Sequence, residues 1–168
     1  MKRLLPLCIV IGIIIVLVMS AGNRGVTSPV VSNKVASPGS VGTASQGDLS
    51  NKGLTKIEPS FFQSHTSITE LNLSNNSISG ALPSQIQQLQ NLRVLNASHN
   101  LMTGVPAEIG QLKNLEILDL SYNRLTGLPN ELGNLKNLKI LNLAGNAYSV
   151  QDLEGIRKGI PQATIITQ

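Results

Sequence analysis

The chain has 168 residues, 41% of them hydrophobic and 2% aromatic, with a mean hydropathy of +0.11 and a formal net charge of +4. This exceeds what a disordered chain buries and falls short of a multi-span membrane protein. A single cysteine, Cys8, allows no intramolecular disulfide, and four aromatics make no stacking surface for single-stranded nucleic acid.

The positive charge is confined to one end. Lys2, Arg3, Arg24 and Lys34 lie in residues 1–47 without an acidic residue, whereas residues 48–168 carry nine basic and nine acidic side chains. A nucleic-acid surface needs its basic patch on the folded domain, so none is expected. Residues 4–22, LLPLCIVIGIIIVLVMSAG, contain no charge. A helix of that length covers roughly 28 Å, close to a ~30 Å hydrocarbon core. With Lys2 and Arg3 ahead of it, residues 1–22 read as an N-terminal transmembrane anchor or a signal peptide, and either places the rest on the extracytoplasmic side. Cys8 is expected to be one more apolar residue of that run. Residues 23–47 are dominated by Gly, Ser, Thr, Ala and Pro, the composition of a flexible linker.

Four segments then align: ITELNLSNNSI (68–78), LRVLNASHNLM (92–102), LEILDLSYNRL (115–125) and LKILNLAGNAY (138–148). Leu71, Leu95, Leu118 and Leu141 recur at steps of 24, 23 and 23, and so do Asn76, Asn100, Asn123 and Asn146. Alternating apolar residues predict a short strand in each unit, stacked parallel about 4.8 Å apart, its leucines shared in one core. Each asparagine falls where the chain leaves the strand, and a carboxamide there serves the backbone of its own and the adjacent turn. After it come Pro83, Pro106 and Pro129, then Ile86/Leu89, Ile109/Leu112 and Leu132/Leu135, the apolar edge of one short helical or 3-10 turn. The LxxLxLxxNxL wording resembles the leucine-rich repeat, in its 23–24-residue bacterial and plant-like forms. That resemblance implies an α/β solenoid with parallel strands on a concave face and helical turns on the convex face.

Repeats are expected over 48–148. The upstream segment DLSNKGLTKIEPSFF reads as a degenerate first repeat with Phe61 and Phe62 plugging the core. Residues 149–168 read as a cap: Ser149 and Asp152 begin a helix with Leu153, Ile156 and Ile160 on its apolar edge, and Thr164–Thr167 form a closing edge strand.

No phosphate loop, metal-binding motif or Ser/His/acid grouping occurs, so neither catalysis nor a cofactor or metal is expected. His65 and His99 are expected on exposed loops. The sequons at Asn72, Asn75 and Asn96 follow from the repeat wording itself. On the strand-bearing face, Thr69, Arg93, Glu116 and Lys139 stack as a column whose alternating charges pair laterally. The next column is Glu70, Val94, Ile117 and Ile140, flanked by Asn96, Asp119 and Asn142 and then by His99 and Tyr122. Val94, Ile117 and Ile140 read either as ordinary β-formers or as the apolar centre of a binding surface. Leucine-rich repeat proteins are mostly interaction modules. The resemblance therefore implies a monomeric, non-enzymatic binder of a protein or peptide, held at a membrane through residues 4–22 if these are uncleaved. A freely secreted binder or inhibitor, a glycan-binding protein and a structural part of an envelope complex are the alternatives.

Overall fold

The computed structural model describes residues 46–168. The anchor or signal segment, Cys8 and linker residues 23–45 lie outside the described residues. Among those described, no helix is long and apolar enough to cross a membrane.

Six three-residue strands form one parallel sheet: β1 (Gln46–Asp48), β2 (Glu70–Asn72), β4 (Val94–Asn96), β6 (Ile117–Asp119), β7 (Ile140–Asn142) and β8 (Thr164–Ile166). Spatial order follows chain order, so every unit stacks on the one before it. The register runs Gly47–Leu71–Leu95–Leu118–Leu141–Ile165 through the middle of the strands. The central leucines point inward and are at most 1% exposed, while the residues on either side face out. The ladder begins at Gln46, so Gln46 and Gly47, assigned by sequence to the linker, belong to the first strand. Gly47 lacks a side chain at the leucine register, and a Cβ there would stand 3.2 Å from Leu71 Cδ1.

The strands are one wall and three 3-10 turns, Ser84–Gln88, Ala107–Gln111 and Asn130–Asn134, are the other. Each turn follows a proline and buries one Ile or Leu (Ile86, Ile109, Leu132), with the leucine three residues on closing it. One narrow apolar edge per unit is what a 3-10 turn can offer, since its side chains eclipse every third residue. Neighbouring turns sit so close that a Cβ at Gly110 would fall on the Glu131 carbonyl. Between the walls the leucine core is continuous from Leu54 to Ile160. A second, two-residue parallel ladder, β3 (Ser79–Gly80) with β5 (Leu101–Met102), ties the first two full units together where the chain leaves the asparagine turn.

A short helix packs at each end of the row of 3-10 turns. Helix α1 (Pro59–Ser64) buries Phe61 and Phe62, ring centroids 5.6 Å apart and edge-on, against the first repeat. Helix α2 (Val150–Gly159) starts at Ser149, whose side chain accepts from Gln151 N–H at 3.2 Å. Asp152 turns toward the neighbouring repeat, where its Oδ2 accepts from Leu128 N–H at 3.3 Å. The cap is therefore latched to the β6 unit by the residue that the sequence assigns to the helix start.

Candidate functional site

The asparagine turns fix the geometry of the sheet face. Asn100 Oδ1 accepts from Ile78 N–H at 3.0 Å, and its Nδ2 donates to Leu73 O at 3.0 Å and Ala97 O at 3.2 Å. Asn123 repeats this with Met102 N–H, Ala97 O and Leu120 O. Asn76 and Asn146 make the equivalent bonds at the two ends of the row. Each carbonyl that ends a strand thus serves its own asparagine and the next one. The turns cannot slide relative to one another, and the side chains they carry line up in straight columns.

The column nearest the turn is conformationally unusual. Asn51, Asn75, His99 and Tyr122 all have φ between 52° and 56°, and Gly145 has φ of 70°. Asn and Gly adopt the left-handed region readily; a tyrosine does so at a cost. The backbone ladder compensates, with His99 N–H on Ser121 O at 2.9 Å and Tyr122 N–H on Ala144 O at 2.7 Å. The rings of His99 and Tyr122 stack at 4.5 Å and 16°. Tyr122 also lies over Gly145, where a Cβ would stand 2.8 Å from its Cδ1. With 55% of its surface exposed, Tyr122 is a rigid aromatic at the rim of the sheet.

One column inward lie Asp48, Asn72, Asn96, Asp119 and Asn142. Their Oδ1 atoms accept from the backbone N–H two residues ahead at 2.9–3.2 Å. Ser98 and Ser121 hydroxyls add second bonds to Asn96 and Asp119 at 2.7 and 2.6 Å. These are Asx turns that steer the chain into the left-handed residue. The sequence reading offered Asn96, Asp119 and Asn142 to a ligand; half of each head group is spoken for by its own turn. Asp119 Oδ2 further accepts from Asn142 Nδ2 at 3.2 Å.

Val94, Ile117 and Ile140 share one register position on β4, β6 and β7 and are half-buried. They form a short apolar stripe, with the exposed Glu70 at one end, held by Gln46 Nε2 at 2.9 Å, and exposed Thr164 at the other. On the far side of the stripe the charged column pairs laterally. Glu116 accepts from Arg93 at 2.6 Å and from Lys139 at 2.5 Å. Hydrogen bonds from Lys139 and then Arg93 hold its carboxyl below the ordinary 4.5.

Sequence reasoning passed over a second row of carboxamides. Asn91, Asn114 and Asn137 donate from Nδ2 to Thr66 O, Gln90 O and Lys113 O at 2.8–3.3 Å, each reaching back one repeat. Their recurrence at steps of 23 was the available signal. Between this row and the Arg93–Glu116–Lys139 row runs a groove of about 430 Å³, with Ser67 and Thr69 at its repeat-one end.

His65 differs from the expectation of an exposed loop. It is half-buried on Phe61, ring centroids 4.4 Å apart, with Nδ1 at 2.8 Å from Phe61 O. Ser64 Oγ stands 2.9 Å from the same nitrogen. Among the described residues no group of three His, Cys, Asp or Glu side chains is placed to hold a metal ion.

A model of the leucine-rich repeat region matches residues 55–158, more than half of the chain. The chain belongs to the leucine-rich repeat family. Among solved structures, this leucine-rich repeat chain is similar to a leucine-rich repeat protein of Leptospira interrogans. The identity is 42% and the TM-score 0.61, over 66% of this chain and 28% of that one. It is also similar to the ectodomain of the receptor kinase SOBIR1 from Arabidopsis thaliana (30% identity, TM-score 0.57, 73% of this chain and 66% of that one). A third likeness is to the plant peptide hormone receptor RGFR1, solved in complex with RGF2 (29%, TM-score 0.56, 67% and 18%). The match spans less than a third of the Leptospira protein. A comparison with curated proteins gives no match.

Proposed function

We propose that the leucine-rich repeat domain is a non-enzymatic interaction module that binds a protein segment or peptide on its sheet face. The observation that carries this is the half-buried stripe of Val94, Ile117 and Ile140, with polar columns on both sides and the exposed, rigid Tyr122 at the rim. An apolar centre with a polar rim is the anatomy of an interface, and solenoids use this face for recognition. Asn96, Asp119, Asn142, His99 and Tyr122 form one bank of the surface. The backbone is fixed by the asparagine rows, so the surface is pre-formed and binding orders little besides the ligand. The peptide hormone bound by RGFR1 supports a peptide as ligand, as does the overlap with plant receptor ectodomains.

The domain acts outside the cytoplasmic membrane, carried there by residues 1–22 and spaced from it by the linker. The charge-free run 4–22 behind Lys2 and Arg3 supports this topology. Fractionation with N-terminal sequencing tests it: an anchored chain retains residue 1 in the membrane fraction, whereas a chain beginning near Asn23 in the medium makes the protein a secreted binder.

The binding face is tested by changing Val94, Ile117 and Ile140 together to Ser in the full chain. Capture of its partner falls at least about tenfold, the equivalent of ~1.4 kcal/mol, while the circular dichroism spectrum is kept. Unchanged capture by a folded triple variant moves the site elsewhere.

A further inference from the structure

The groove between the outer carboxamide row and the Arg93–Glu116–Lys139 row differs in chemistry from the sheet face beside it. Its volume of about 430 Å³ is that of an ordinary ligand cleft, and no apolar side chain lines it. On one wall Asn114 and Asn137 are exposed, and each donates from Nδ2 to a backbone carbonyl of the preceding repeat at 2.8 Å. Those bonds fix which end of each carboxamide is left over. The two Oδ1 atoms accept from no donor among the described residues, and they recur one repeat apart. On the other wall Glu116 Oε1 accepts from Arg93 Nε and Nη2 at 2.7 and 2.6 Å, and Oε2 accepts from Lys139 Nζ at 2.5 Å. The carboxylate draws both cations together and cancels the charge of one. Their side chains remain 60% and 68% exposed, so the N–H groups that Glu116 does not take are open to a ligand.

The two walls select by chemistry. One offers acceptors and the other offers donors held in place by an ion-pair network. An apolar group finds nothing here to bury against. An anion would compete with Glu116 for the same two heads, next to a sheet face that carries Asp48, Glu70 and Asp119. A hydroxyl suits both walls, since its O–H donates to a carboxamide oxygen while its lone pairs accept from a guanidinium or an ammonium. A chain dense in hydroxyls satisfies both walls at once, and the repetition of the wall groups at the strand spacing of ~4.8 Å calls for an extended one. We propose that this groove is a second binding site, distinct from the apolar stripe, and takes a short neutral oligosaccharide. The sugar chain lies along Asn114 and Asn137, with its hydroxyls also accepting from Arg93 and Lys139.

Amide NMR on the full chain, held in a detergent without a sugar head group, tests this. Neutral oligosaccharides of glucose, mannose and N-acetylglucosamine are titrated in turn while the asparagine side-chain signals are followed. One of these sugars shifts the Nδ2 signals of Asn114 and Asn137 saturably and leaves those of Asn96 and Asn142 in place. Because no net charge is neutralised, its affinity is unchanged as salt is raised. Asn137→Ala and Lys139→Met each weaken it about fivefold, the scale of one lost hydrogen bond. Lys139→Met disturbs no backbone bond, so it reports on the ligand even where Asn137→Ala loosens the repeat. The Val94/Ile117/Ile140→Ser variant, which tests the peptide-binding reading, binds the sugar as the wild type does. No shift with any of the three sugars overturns the inference, as do shifts confined to Asn96, Asn142 and Tyr122. Sugar binding that Lys139→Met leaves intact, or that falls steeply with salt, overturns it as well.

Discussion

Replacing Asn123 with alanine removes a carboxamide that is 8% exposed and holds two repeats together. Its Oδ1 is the acceptor for Met102 N–H, and Met102 is fully buried. Its Nδ2 serves Ala97 O at 2.9 Å and Leu120 O at 3.0 Å, carbonyls that keep a second partner in Asn100 and Asn146. The variant thus strands one buried donor outright and leaves two acceptors half satisfied. At about 1–3 kcal/mol for an unmet buried group, the expected loss is roughly 2–4 kcal/mol. Asn76 is the internal control. It makes the same bonds, one of them from the buried Leu54 N–H, but it is half-buried and its further partners Lys52 and Leu49 border solvent, so water replaces part of what Asn76→Ala removes. That variant loses only about 1 kcal/mol. Urea denaturation followed by circular dichroism, with the two m-values compared, measures both. Equal losses, or an Asn123→Ala loss under about 1 kcal/mol, would refute the view that buried backbone groups give the row its strength.

Gly110→Ala drives a Cβ onto the Glu131 carbonyl and forces the second and third 3-10 turns apart; it lowers stability by about 1–3 kcal/mol, read from the urea midpoint. Because the folded-state pKa of Glu116 is depressed, its ion pairs contribute stability above the ordinary value of 4.5, and this is lost as pH falls through the folded value. The difference in Tm between the wild type and Glu116→Gln is accordingly largest near neutral pH and closes in acid. A gap that stays constant with pH would mean the carboxylate charge is not what the two cations read.

The leucine and asparagine periodicity already contained the strands, their register and the core, because inward leucines at one position per unit can only stack. It did not contain the conformation at His99 and Tyr122. Bulky residues disfavour positive φ, and the left-handed turn there is imposed by the ladder bonds to Ser121 and Ala144, which belong to the neighbouring repeat. The roles of Asn96, Asp119 and Asn142 were half legible. An Asn or Asp two residues before a small residue (Ser98, Ser121, Ala144) is an Asx turn as much as a ligand contact, and outward-facing position alone favoured the second reading. The groove was missed because its outer row, Asn91, Asn114 and Asn137, sits at the end of the helical wording, where an asparagine passes for a turn residue. The partly buried state of Glu116 between two exposed cations is a matter of side-chain reach, which no column of letters encodes.

The outer carboxamide row ends in a substitution. Where Asn91, Asn114 and Asn137 recur, the cap supplies Gln162, one methylene longer, whose Nε2 reaches Lys136 O at 3.0 Å and Leu138 O at 3.2 Å. Every hook in this row, and most in the inner one, points toward the N-terminal neighbour, so the stack has a direction: each unit is fastened by the one that follows. Cutting away a later unit unfastens the unit before it, whereas cutting an earlier unit frees only hooks. Gln162 and Asp152 fasten the unit that begins with β6, and Gln162 also holds the start of the β7 unit. A lengthened version of this solenoid would therefore take its extra 23-residue unit ahead of Ser149, under the existing fastening, and one appended behind β8 would find no hook to hold it.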